Sequence, residues 1–408
     1  MSLRPLRVLF VTTTYPLKKG DNIPGFVADL ARTLVANHPV QIKVIAPHHA
    51  GATLNETVDG VSIERFQYAA NPDEQCVAYG SGIPDNLRIH PHARKQLPRF
   101  LWAMGRAVRR NIGEYDLIHA HWIEPAFVAM LANVFRKKKP IITSVHSLKP
   151  KSSLLHARTL AKSDRVLFNS QFTKSQATAF GYRCKSEVVY QGFDPNVFFS
   201  PVRDGAENRF RAVLKIPDDG KVIVSLARMI EVKGLHVLAA AADEILTTHI
   251  GTHLVFAGDG PDRPRIERIA KASAHANRIH FTGALPRHDV ARLLRESDLF
   301  INPGIIDSTG RAEGFGITTI EALATGLPVI GSNVGGIPET IADGINGLII
   351  EPNDPASIVA AVNRILTNPE LYQSMSVEAR RLAVEKFAWP NLASRVYSIY
   401  QQVESERS

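Results

Sequence analysis

Short apolar runs alternate with amphipathic stretches along nearly the whole chain. Leu6–Thr12 is a continuous apolar run. A polar loop from Tyr15 to Gly25 follows, broken by Pro16, Gly20, Pro24 and Gly25. Phe26–Val35 has a helical period, and Val40–Ala46 is the next apolar run. Strand, glycine-containing loop, helix and strand are the opening of a doubly wound sheet. Further strand-like runs are Val61–Phe66, Asp116–Trp122, Pro140–His146, Asp164–Ser170 and Val188–Asp194. Residues 69–92 are rich in Pro, Gly and Asn and read as an irregular loop in contact with an acceptor. Asp194–Asp204, with two prolines and little periodicity, reads as a linker about which two domains close.

The second half repeats the alternation. Lys221–Arg228 predicts a strand, Leu235–Thr247 a helix, His253–Gly260 a strand with a tight turn, and Ile279–Pro286 another strand and turn. Asp298–Pro303 predicts a short buried strand. From Thr318 the pattern becomes helical, with Ile320, Leu323 and Ala324 on one face, until Gly326 and Pro328 stop it. Amphipathic helices run from Glu351 to the end.

The chemistry concentrates in Ala312–Ile330. Glu313 sits in a loop broken by Gly314 and Gly316, and Glu321 lies in the first turns of the helix. Eight residues of continuous helix would separate the carboxylates by about 12 Å. A retaining glycosidase needs about 5 Å, so the pair suits two places on a long ligand rather than one reacting atom. The helix start between them, with free N–H groups and the Thr318 and Thr319 hydroxyls, is an anion site. Hydroxyl, anion, hydroxyl describes a sugar, a diphosphate and a ribose. In isolation, such a corner is more often two solvated glutamates; the glycines and the anion site change that balance.

The block Glu313-Gly-Phe-Gly through Glu321-Ala-Leu-Ala-Thr-Gly-Leu-Pro-Val-Ile, followed by Gly335-Gly336-Ile-Pro-Glu339 and Asp343-Gly-Ile-Asn-Gly347-Leu, resembles the donor site of family 4 retaining glycosyltransferases. The resemblance extends over nearly the whole chain. It implies an α/β GT-B architecture: two Rossmann-like doubly wound domains facing across a cleft. Residues 1–200 would form the acceptor-binding domain and 201–386 the nucleotide-sugar domain. Residues 387–408, entered through Phe387-Ala-Trp389-Pro, would form a C-terminal helix crossing back to the first domain. Arg228 and Lys233 match the family's donor-phosphate element; two cations at one strand-to-helix mouth can neutralise a diphosphate. Gly258, Asp259 and Leu285 match positions lining the donor cleft. Gly314, Phe315, Gly316, Ile317 and Thr318 would supply backbone N–H groups, Glu313 would orient the sugar and Glu321 would hold the ribose. His146 ends a strand, where open α/β sheets bind ligands, and matches a family histidine near the transferred sugar. Gly25 and His121 are further acceptor or cleft candidates. Thr318-Thr319 departs from the family's apolar pattern at this point, which leaves donor preference open.

Composition narrows the setting. Only Cys76 and Cys184 occur, giving neither a disulfide framework nor metal-ligand spacing, as expected in a reducing compartment. His119 and His121 share a strand face but lack further ligands, and no Asp-x-Asp triplet occurs. No divalent metal and no other cofactor is therefore expected, with protein cations in the metal's place. No run is apolar enough for a signal segment or a membrane span. Residues 1–200 carry 26 Lys+Arg against 14 Asp+Glu, and residues 201–408 carry 22 against 25, so the excess positive charge lies in the first half. Such a half implies an anionic partner. The basic, aromatic stretch Arg94–Ile112 suits a helix on anionic lipid, with Arg136–Lys139 a second basic cluster.

The expected reaction is transfer of a sugar, with retention, from a nucleoside-diphosphate sugar, UDP ahead of GDP, to a hydroxyl of a lipid-linked or polysaccharide acceptor in cell-envelope glycan synthesis. Expected partners are the nucleotide sugar, the glycan or lipid-linked acceptor and an anionic membrane surface met through residues 94–112. No nucleic acid is expected. The expected location is cytoplasmic, on the inner face of the membrane. The alternatives are a nucleotide-sugar epimerase of the same fold, a glycan phosphorylase and a non-catalytic nucleotide-sugar-binding protein.

Overall fold

A computed structural model describes residues 4–18, 25–80, 82–134, 138–148, 153–199 and 209–407. The chain divides into two compact units, Met1–Tyr190 with Trp389–Ser408, and Gln191–Ala388.

The first unit is built on an eight-stranded sheet. Its strands are β1 (Leu6–Val11), β2 (Val40–Pro47), β3 (Asn55–Val58), β4 (Val61–Phe66), β5 (Leu117–His121), β6 (Ile141–Val145), β7 (Arg165–Phe168) and β8 (Ser186–Val188). The order is β3-β4-β2-β1-β5-β6-β7-β8, parallel except for the β3–β4 hairpin. The alternation along β1 explains the layering. Val8 and Phe10 face a core shared with helix Phe26–Asn37 and with Trp389, Leu392, Val396 and Tyr400. Leu9 and Val11 face the opposite core, with Phe100, Met104 and Val108 of helix Pro91–Asn111. A parallel sheet covered on both faces needs apolar residues at successive positions, which is why β1 reads as a continuous run.

Residues 69–92 are not one irregular loop: Ile83–Ile89 is helical, and although Asn71, Asp73 and Glu74 are exposed, the chain then turns inward. Val77, Ala78 and Tyr79 are buried with Phe66 and Phe100. Their backbone polar groups are satisfied from nearby: Asn86 Nδ2 donates to the Val77 and Tyr79 carbonyls, and the Tyr79 hydroxyl donates to the Pro47 carbonyl at 2.7 Å. A loop whose buried carbonyls find side-chain donors can enter a core, and residue composition does not reveal those donors.

The second unit carries β9 (Lys221–Leu226), β10 (Thr252–Ala257), β11 (Ile279–Gly283), β12 (Leu299–Asn302), β13 (Val329–Ser332) and β14 (Gly347–Ile350), in the order β11-β10-β9-β12-β13-β14 and all parallel. Helices Leu235–Thr248 and Pro355–Leu366 contribute to the main core.

The units divide at 190/191 and 388/389, where the sequence suggested 200/201 and 386/387. Of the expected linker, Asp194–Phe199 is built into the second unit. Pro195–Phe198 is a helical turn, Phe198 is fully buried and Arg295 donates to the Val197 carbonyl. Residues 200–204 lie outside the described residues. The Phe193 N–H donates to the Phe387 carbonyl at 3.0 Å, so the two segments adjoining these boundaries are paired. No helix among the described residues is long and apolar enough to cross a membrane.

Candidate functional site

In an open parallel sheet, ligands bind beyond the carboxyl ends of the strands where the order reverses. In the second unit that point lies between β9 and β12, since the chain winds outward from β9 to β11 and then restarts at β12 on the other side. The loops that follow β9 and β12 carry Arg228, Lys233 and Glu313.

These loops are fastened together. The Ile305 N–H donates to the Val232 carbonyl at 3.0 Å, and the Ser308 hydroxyl to Glu231 at 2.7 Å. Gly234 has φ +64°, and a Cβ there would overlap the Pro303 carbonyl, so the approach requires glycine. Lys233 Nζ forms an ion pair with the Glu313 carboxylate, both partly buried. The sequence separates these residues by 80 positions; the fold makes them one charged unit. Arg228 is exposed at the end of β9.

Two glycine loops hold this arrangement from either side. Gly258 and Gly260 run against the backbone of Ala227 and Met229, where a Cβ at either position would overlap a carbonyl oxygen. Gly258 thus supports the Arg228 loop. The Gly258 N–H in turn donates to the Gly283 carbonyl at 2.8 Å, which brings the β11 loop and half-buried Leu285 alongside. Asp259 is exposed and is paired with Arg263 at 3.1 Å. On the far side, the Gly336 N–H donates to the Glu313 carbonyl at 2.9 Å, and Cβ atoms at Gly335 and Gly336 would overlap the Glu313 and Gly314 carbonyls. Gly335 and Gly336 are quoted in the sequence motif; their part in holding Glu313 appears only in the fold.

The helix begins at Ile317, with Gly316 left-handed before it at φ +97° and no side-chain cap. The Thr319 N–H donates to the Gly316 carbonyl at 3.0 Å; the N–H groups before it, at Ile317 and Thr318, have no intrahelical acceptor and are suited to a ligand or solvent. Thr318 is half-buried. Thr319, counted above among the anion-site hydroxyls, is instead fully buried, and its hydroxyl accepts from Asn302 Nδ2 at 2.9 Å. Asn302, at the end of β12, is a support that the sequence did not signal beyond its place at a strand end. Phe315 is buried edge-on to Phe387 at 5.7 Å and anchors the loop. Glu321 is buried in the helix. Beside this corner Asp307 lies in the β12 loop. Burial alone would raise its pKa, but hydrogen bonds from Thr309 and Arg311 outweigh burial and hold the carboxyl below its ordinary range.

The corresponding point of the first unit lies between β1 and β5. It is uncharged. His119, His121 and His146 form a row: His119 and His121 stack at 4.4 Å, and His121 and His146 lie parallel at 5.5 Å with Nδ1 and Nε2 3.3 Å apart. His119 contacts the Tyr400 hydroxyl and the Ser144 hydroxyl, each at 2.7 Å. Burial pushes His119 and His146 down to about 3, and His121 well below its ordinary value, so the row is neutral at pH 7. His121 is 1% exposed and stands behind His146. His146 keeps some exposure after β6, flanked by Phe26 and Trp122. Trp122 has φ +75°, a conformation rare for a side chain of its size. Gly25 precedes helix Phe26–Asn37, and its carbonyl accepts from Asp29 N–H. Residues 20–24 of the first loop lie outside the described residues. No group of three or more His, Cys, Asp or Glu with metal-ligand geometry occurs among the described residues.

Comparison with known proteins agrees with this architecture. Residues 206–382 match the glycosyl transferases group 1 family, and residues 25–197 match glycosyltransferase family 4. The structure superposes on sucrose-phosphate synthase from Thermosynechococcus elongatus with TM-score 0.78 and 20% identity, covering 98% of this chain and 100% of that one. It superposes on Anabaena HepE in complex with UDP-glucose with TM-score 0.73 and 18% identity, covering 97% and 100%. The fold is thus GT-B. Among relatives in sequence, a GDP-mannose-dependent alpha-(1-6)-phosphatidylinositol monomannoside mannosyltransferase of Mycolicibacterium smegmatis is 28% identical over 95% of this chain and 97% of that protein. A D-inositol 3-phosphate glycosyltransferase of Acidothermus cellulolyticus is 26% identical over 85% and 83%. The chain belongs to the family 4 glycosyltransferases, and it is a glycosyltransferase enzyme.

Proposed function

We propose that the chain transfers a sugar, with retention of configuration, from a nucleoside-diphosphate sugar to a hydroxyl of a lipid-linked or polysaccharide acceptor. The observation that carries this is the Lys233–Glu313 pair at the switch point of the second sheet, beside the uncapped start of helix Ile317–Thr325. Cation and helix N–H groups would meet the diphosphate and stabilise the leaving group. Glu313 would accept from sugar hydroxyls, Glu321 from the ribose, and Arg228 would add a second cation. His146, neutral, would contact the sugar as a hydrogen-bonding and packing group rather than as a proton donor. In this scheme these protein groups do the work that a divalent metal does in other transferases.

The first unit is proposed to take the acceptor. Helix Pro91–Asn111 buries Phe100, Met104 and Val108 and turns Arg94, Lys95, Arg99, Trp102, Arg106 and Arg109 outward, with no acidic residue along its length. Arg106 stacks over Trp102, which is 64% exposed. A basic face with an exposed tryptophan suits an anionic lipid surface, and a relative that acts on a phosphatidylinositol mannoside favours such an acceptor.

Thermal unfolding with UDP, GDP or ADP, in the native protein and in Arg228→Ala, tests the donor site. A ligand at 100 times its Kd stabilises by about 2.7 kcal/mol. The expected result is a rise with one diphosphate that is reduced in the variant. No rise with any of the three would contradict the proposal.

A further inference from the structure

The Lys233–Glu313 pair has a consequence for which ligand the site prefers. Without ligand, each residue satisfies the other: the ammonium is balanced by the carboxylate within a partly buried corner. The Glu313 backbone is held in place, its carbonyl accepting from the Gly336 N–H and Gly335 approaching too closely to admit a Cβ. The backbone that carries Lys233 is held as well: its N–H donates to the Ile230 carbonyl at 3.0 Å, and the Gly234 N–H donates to the Glu231 carbonyl at 2.9 Å. A phosphate that draws Lys233 toward itself therefore competes with Glu313 for it.

We propose that this pair is a charge exchange that discriminates the intact nucleotide sugar from the free nucleoside diphosphate, an inference that rests on the donor-site reading above. A free nucleoside diphosphate draws Lys233 to its phosphate oxygens and leaves the Glu313 carboxylate without its cation beside a second anion. A buried or half-buried charge stripped of its partner is costly, and that cost weakens binding of the diphosphate. An intact donor brings sugar hydroxyls to the same corner. Those hydroxyls donate to Glu313 as Lys233 turns to the phosphates, so both members of the pair are re-satisfied. A ligand shifts such an equilibrium only by its differential affinity for the two arrangements, and only the intact donor contacts both. After transfer the sugar is gone, Glu313 reclaims Lys233, and the diphosphate product is released.

The discriminating substitution is Glu313→Gln. It keeps the shape and an acceptor oxygen but frees Lys233. Calorimetric titration of UDP, GDP, UDP-glucose and GDP-mannose into the native protein and the variant reads the effect. The diphosphate that binds the native protein is expected to bind Glu313→Gln at least about tenfold more tightly, equivalent to about 1.4 kcal/mol. The matching nucleotide sugar is expected to gain far less, so the preference for intact donor narrows. Glu231→Gln removes an equal charge from the same loop while its amide oxygen can still accept from the Ser308 hydroxyl, and so controls for general attraction of anions; a gain below about twofold is expected there. An unchanged or weakened diphosphate affinity in Glu313→Gln, with the native protein binding, overturns the charge exchange and leaves the donor site standing. An equal gain in Glu231→Gln also overturns it. Absence of binding by the native protein to all four probes overturns the donor-site reading and the exchange together.

Discussion

The two sheets share a winding pattern but carry opposite chemistry at their switch points. Between β9 and β12 the second unit sets a cation against a carboxylate, framed by glycine loops that hold the backbones close. Between β1 and β5 the first unit leads to a neutral row of histidines packed among Phe10, Phe26 and Trp122. A charged corner suits recognition of a diphosphate, whose negative charge needs partners. A neutral, half-enclosed ring at a strand end suits contact with a sugar, whose hydroxyls need shape and hydrogen bonds. The same topology therefore presents two chemistries, and the difference lies in a few loop residues.

The largest expected effect falls on the charged side. Lys233→Ala should lower donor turnover by about 10²–10³-fold, as for loss of one preorganised leaving-group donor, measured as nucleoside diphosphate release. Next comes the frame that holds the pair. Gly335→Ala would force a Cβ into the Glu313 carbonyl at φ +63°, and should cost about 3 kcal/mol in urea unfolding. Gly344, at φ +75° with open space around it, makes the matched comparison; Gly344→Ala should cost only about 1 kcal/mol. Equal costs at the two positions would break the claim that the Gly335 contact is specific.

The neutral side should reveal itself through acid. His119 is held at about 3 by burial when folded, against about 6.5 when unfolded. The unfolded chain therefore binds a proton that the folded one refuses. Stability from this ring is fully present above about pH 6.5 and is lost as pH falls, by about 2 kcal/mol at pH 5. Unfolding titrations of the first unit at pH 7 and pH 5 check this, and an acid-insensitive unit would contradict a buried neutral row. A similarly small effect, about 1 kcal/mol, is expected at Tyr400→Phe, which removes the hydroxyl beside His119 Nδ1.

Much of this arrangement was legible in the sequence because its causes are local. Buried parallel strands announce themselves as apolar runs, and Glu313-Gly-Phe-Gly marks a loop that only glycines permit before a helix. The pairing of Lys233 with Glu313 was not legible, since both residues had separate roles consistent with their own segments. Nor was the contact of Tyr400 with His119 across 281 positions, because a C-terminal amphipathic helix does not declare which core it completes. Thr319 illustrates the limit within a single motif. Its neighbour Thr318 remains half-exposed, while Thr319 turns inward to Asn302, a choice made by the end of β12 and not by the helix. The buried stretch Val77–Tyr79 is hidden from the sequence for a related reason: its donors come from Asn86 and its acceptor from Pro47, outside the segment itself.

The most direct test of a donor site at the second unit's switch point is amide hydrogen exchange with and without saturating UDP or GDP. Protection is expected in residues 228–234 and 313–319, at the two fastened loops and the helix start. Protection confined to the first unit, with those two segments unchanged under a diphosphate that binds, would contradict it.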